Sequence, residues 1–137
     1  MKSWAERRSG FAFVCLAGTA AVLGLPIGYP DIFWHLSAAR WMAEHRAFPR
    51  MDWLSFTMAG KPWCDFEWLT ELVWRTVHGV GGLSALWALK VLLLSATATL
   101  LWRLLREVGA PFFDRSLGLW IWALCATLAN DLRPENF

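Results

Sequence analysis

Residues 30–36 read PDIFWHL, which sets an acid and a histidine one helical turn apart directly after a long apolar run. In a helix, Asp31 and His35 project from one face. Such a pair can share a hydrogen bond, a proton or a metal ion. Standing at the boundary between lipid and water, Asp31 has the position of a general base. The competing reading is structural, because Pro30-Asp31 ahead of a helix is an ordinary N-cap arrangement. The two roles are compatible. His45 and His78 have no spaced partner and read as surface or interfacial residues.

More acid follows at Asp52, Asp65, Glu67 and Glu71. Glu67 lies between Phe66 and Trp68 and is a candidate to face a pocket; the alternative is a solvated first-turn acid matching a helix dipole. Lys90 interrupts an apolar stretch, and charge inside a membrane span is a functional hypothesis by default. It lies close enough to the span end to snorkel toward an anionic lipid or a phosphate. Arg133 is the last cation, suited to bidentate contact with phosphate or to an ordinary interfacial place. No hydrolase signature, Gly-rich phosphate loop or C-x-x-C pair occurs. Cys64 reads as a free, partly buried thiol.

These residues need elements to hold them. Of the 137 residues, 57% are hydrophobic and 18% charged, which shifts the chain toward the membrane class. Its 11 Trp suit a membrane interface. A net charge of +2, with no basic stripe, argues against nucleic acid. The sequence therefore predicts an all-α membrane protein with about three transmembrane helices and an extracytoplasmic loop carrying two short interfacial helices. Residues 1–9 form a cytoplasmic N-terminus, 10–29 the first span and 30–82 the outer loop. Residues 83–102 form the second span, 103–115 a cytoplasmic connection, 116–130 the third span and 131–137 an extracytoplasmic tail. Lys2, Arg7, Arg8, Arg103, Arg106 and Arg115 would then share the cytoplasmic side. A cleaved signal peptide is disfavoured, since LGLPIGYPD offers no small-residue cleavage site.

Within the outer loop, DIFWHLSAARWMAEHR has helical period, with Trp34, Ala38, Trp41 and His45 in one stripe. Leu54, Phe56 and Met58 alternate with Ser55 and Thr57 ahead of Gly60 and Pro62, which suggests a short extended or hairpin segment. A second short helix starts with Asp65 as its cap, pairs Glu71 with Arg75, and ends at Gly79. SATAT, residues 95–99, and the G-x-x-x-G of Gly24 and Gly28 offer small-residue faces for helix packing.

In order and spacing, "PDIFWHLSAARWMAEHRAFPRMDWLSFTMAGKPWCDFEWLTEL" resembles the first outer loop of large bacterial multi-spanning proteins of the GT-C superfamily of glycosyltransferases, which includes the protein mannosyltransferases. The shared pattern is an Asp, then WHL, SFT, G-x-P-W and EWL. The resemblance implies that Asp31 deprotonates an acceptor hydroxyl, which attacks a polyprenyl-phosphate sugar with inversion. It makes His35, Glu67, Lys90 and Arg133 substrate contacts, the cations toward the phosphate. Some members use a divalent metal at the loop acids; the sequence leaves the cofactor undetermined. Such enzymes have many more than three spans, so the resemblance implies an N-terminal portion, inactive alone, that needs further C-terminal or partner helices. Its place would be the bacterial inner membrane, multi-pass, with the N-terminus cytoplasmic. The rival is a small non-catalytic membrane protein that packs against partner helices.

Overall fold

The computed structural model describes residues 4–28 and 30–129. Four helices follow one another: α1 (Trp4–Leu23), α2 (Ile32–His45), α3 (Trp68–Glu107) and α4 (Phe112–Ala129). No strand occurs among the described residues, so the all-α expectation holds. The described residues divide into two compact units. One contains α1, the part of α3 from Leu89 onward, and α4; the other is Gly28–Ala88.

In the first unit α1 packs along α4. The buried residues of α1 are Ala12, Cys15, Thr19 and Val22, and those of α4 include Ser116, Leu119 and Ala123. Both sets recur every three or four residues, which puts them on one face of each helix. Most are small, so the backbones approach closely, as helices do where lipid cannot drive them together. Gly18 marks the tightest point: a methyl group there would overlap the ring of Trp120. The hydroxyls turn inward on their own helices, Thr19 to the Cys15 carbonyl at 2.9 Å and Ser116 to the Phe112 carbonyl at 2.9 Å. Aromatic contacts extend the seam, Phe11 with Phe113 and Phe13 with Phe112. Arg8 lies over the Phe113 ring.

The expectation of three spans is met only in part. Among the described residues one helix, α3, is long and apolar enough to cross a membrane. The first apolar segment stops at Leu23 rather than reaching residue 29. Pro26 explains this, since it donates no hydrogen bond and holds Leu25 away from helical geometry. The apolar part of α1, Phe11–Leu23, is about 20 Å long at the helical rise, short of the ~30 Å hydrocarbon core. Gly24 and Gly28 consequently lie beyond the helix end, and their G-x-x-x-G spacing makes no helix face.

The outer-loop elements are shifted as well. The second interfacial helix is present as the first arm of α3, set off from the apolar part by non-helical backbone. The break expected at Gly79 falls instead at Gly81 and Gly82, the latter at φ +62°, where only glycine is unstrained. The apolar stretch begins after this break, at Leu83. The predicted hairpin is reduced to a single bridge between Met51 and Pro62. It is tied by the Asp52 amide to the Lys61 carbonyl at 2.8 Å and by the Trp63 amide to the Arg50 carbonyl at 3.0 Å. Cys64, expected to be partly buried, is exposed.

Candidate functional site

The face of α2 that is buried carries Ile32, His35, Ala38, Ala39 and Met42; of the stripe Trp34, Ala38, Trp41 and His45 only Ala38 is among them. Trp34 and Trp41 flank it, half-buried. His35 is thus a histidine in a core position, 3% exposed. The Trp34 ring lies against the imidazole, and the Trp74 ring meets it edge-on.

Two glutamates of the third helix region converge on that imidazole. Glu67 immediately precedes α3 and Glu71 stands one turn later, so both can project toward one side. The entry is tied by Asp65, whose carboxylate accepts the Glu67 amide at 3.0 Å; this is a turn ahead of α3, and the helix cap expected of Asp65 is not made, since α3 starts at Trp68. His35 Nδ1 is hydrogen-bonded to Glu71 Oε1 at 2.7 Å and lies 3.4 Å from Glu67 Oε2. One ligand-type atom from each of the three residues falls within 4.8 Å of the others.

Glu71 is fully buried. Its carboxyl is pushed up to about 9, chiefly by burial, then by the charge of Asp65, a carboxyl–carboxyl hydrogen bond with Asp65, and the charge of Glu67. Removing a carboxylate from water disfavours its charge, and neighbouring acids add to the effect. Asp65 Oδ2 and Glu71 Oε2 are both buried and meet no N–H or hydroxyl donor, so the contact between the two acids calls for a shared proton. A proton or a cation between these carboxyls would satisfy both. The surface pair expected between Glu71 and Arg75 is not formed: Glu71 turns inward and Arg75 is exposed.

A second feature of the same unit is an open cleft of about 350 Å³ lined by Trp34, Asp52, Leu54, Ser55 and Trp63. The rings of Trp34 and Trp63 are 6.2 Å apart, inclined at 60°. The Asp52 carboxylate is held below the usual range, first by the Ser55 hydroxyl and then by backbone N–H donors of Ser55 and Leu54. It is therefore a fixed, ionised group at the cleft wall.

The other expected site residues are not members of this group of three. Asp31 precedes α2 but does not cap it with its side chain. Its backbone is already helical, φ −66° and ψ −15°, whereas a capping side chain reaches back from an extended backbone. The first-turn amides of Trp34 and His35 go to the Asp31 carbonyl instead. Lys90 does not snorkel outward: it is 5% exposed, and its ammonium donates to the Leu25 and Pro26 carbonyls at 3.3 Å each. Helix α1 leaves such carbonyls unsatisfied beyond its end. Arg133 lies outside the described residues.

Trp74 was not singled out by the sequence, and Glu71 was read only as one of the loop acids and as the partner of Arg75. One signal for Glu71 was present. Like charges at i and i+4 repel on a free helix face, so Glu67 and Glu71 together imply a third group that compensates them. No family model, curated protein or solved structure matches the chain.

Proposed function

We propose that this chain is the N-terminal part of an integral membrane glycosyltransferase that uses a polyprenyl-phosphate sugar, with Asp31 as the base. The observation that carries this reading is the uncommitted carboxylate of Asp31. It follows the first apolar segment and makes no capping bond, although its position in the sequence is that of a cap. A free acid at a membrane boundary can accept the proton of an attacking hydroxyl. The cleft between Trp34 and Trp63, with ionised Asp52 on its wall, adds support. Flat ring faces beside a hydrogen-bond acceptor suit a sugar. His35 and Glu67 would act from within the cluster; Lys90, satisfied by backbone carbonyls, is a weaker phosphate contact, and Arg133 remains in the proposal on the sequence resemblance alone. The multi-pass topology, with the cation-rich connections cytoplasmic, belongs to the same proposal.

The test is Asp31→Asn in the intact native protein. Transfer from a polyprenyl-phosphate sugar should fall by about 10²–10⁴-fold, the range for loss of a positioned base, while membrane insertion is unchanged. Undiminished transfer would sink the reading. The non-catalytic alternative is favoured by one observation: only 11% of the apolar window of α3 is buried, leaving that surface for lipid or partner helices. Under that alternative Asp31→Asn is silent, and a bulky residue at Ala96 on the exposed small-residue face disrupts association.

A further inference from the structure

We propose that His35, Glu67 and Glu71 form a binding site for one divalent transition cation of the zinc class. This goes beyond the transferase reading and does not rest on it.

The ligand set is one imidazole and two carboxylates, a combination suited to zinc and to neighbouring first-row ions. Calcium and magnesium prefer oxygen alone. In a tetrahedral site with bonds near 2.0–2.1 Å, ligand atoms are roughly 3.3 Å apart. The His35–Glu67 separation of 3.4 Å already matches. The His35–Glu71 separation of 2.7 Å would open by about half an ångström as the hydrogen bond gives way to two metal bonds.

Two further observations separate this cluster from a chance gathering of surface acids. Glu71 is fully buried, and its Oε2 meets no N–H or hydroxyl donor, only the carboxyl of Asp65. Such a buried acid needs either a shared proton or a cation to compensate it. Moreover, the supporting groups that a metal site needs are in place. Asp65 orients the start of the helix through the Glu67 amide, and the Trp34 and Trp74 rings fix the imidazole. Outer groups of this kind hold ligands in register. Glu67, 36% exposed, gives the ion a way in. Three protein ligands leave a fourth position open to water or to a substrate oxygen.

The experiment uses the full chain in detergent micelles, stripped with a chelator and titrated with Zn²⁺, Mn²⁺ or Mg²⁺. Cys64→Ser and Cys125→Ser are introduced first, since both thiols are exposed and would bind zinc on their own. One Zn²⁺ per chain is expected, tighter than Mn²⁺, with Mg²⁺ weakest. Co²⁺ should give ligand-field bands without thiolate charge transfer. Glu67→Gln should weaken Zn²⁺ by at least the roughly 10–100-fold that follows loss of an outer-sphere partner, and Glu71→Gln should do the same or more. His45→Ala, on an exposed surface, should have no effect. If Glu71→Gln does not fold, Glu67→Gln decides, because its side chain is partly exposed. Absence of saturable binding, or binding indifferent to Glu67→Gln, would overturn the proposal and leave a hydrogen-bonded His–Glu pair. Either result is independent of transfer activity.

Discussion

The seam between α1 and α4 and the cluster of α2 with the start of α3 meet opposite packing problems. The seam is built from small residues, with Gly18 under the Trp120 ring, and its polar atoms are closed within single helices. The buried hydroxyls of Thr19 and Ser116 are satisfied and offer nothing to a ligand. The cluster is built from large rings around ionisable groups, and it sets two buried carboxyls against each other with no N–H or hydroxyl donor to either facing oxygen. A seam of small residues is specified by shape and tolerates little added volume. A buried polar cluster is specified by charge and hydrogen bonding, and it responds to protons and cations. The candidate cation site therefore belongs to the second.

Breaking the cluster should have the largest effect. Trp74 is fully buried, so Trp74→Ala should destabilise its unit by about 3–5 kcal/mol, seen as an earlier denaturant midpoint in micelles. The next prediction concerns protons. In chelator, Glu71 carries its proton in the folded state up to about 9, against 4.5 in the unfolded chain. The folded state therefore binds more protons across that window. Stability from Glu71 is fully present below about 4.5 and is lost as pH rises through about 9. Unfolding midpoints measured from pH 5 to 9 should fall, and Glu71→Gln should flatten the slope. A slope that persists in the variant would place its origin elsewhere.

The seam is probed by Gly18→Ala. Overpacking against Trp120 should destabilise the α1–α4 pair by about 1–3 kcal/mol. Hydrogen exchange should then quicken along α1 while the amides of α2 are unmoved. If α2 also loosens, the two regions are energetically one. The smallest effect is expected at the cleft wall. Asp52→Asn weakens the acceptor for the Leu54 and Ser55 amides, so those amides should exchange faster with little change in the global midpoint. Exchange as slow as in the parent protein would show that the bridge alone holds the loop.

What could be read from the sequence was what depends on local periodicity and on single residues. The helices appeared because apolar spacing and charge-free runs are properties of a short window. The short reach of α1 was implicit in Pro26, and the break before Leu83 in the neighbouring glycines, although both were placed a few residues away from where they occur. His35 and Glu67 were recognised as candidates from their types and neighbours. Their meeting with Glu71 was not, because His35 and Glu71 are 36 residues apart and no local rule sets that separation. Which face of α2 turns inward was also beyond the sequence pattern: the Trp stripe and the Ile32–His35–Met42 stripe are both plausible apolar faces. Only the packing of α2 within its unit chose between them. The same choice carried His35 into the core, where its neighbours made it a chemical group rather than a surface one. Asp31 shows the converse. Its residue type announced a cap, and the backbone angle set by the surrounding chain left its carboxylate free.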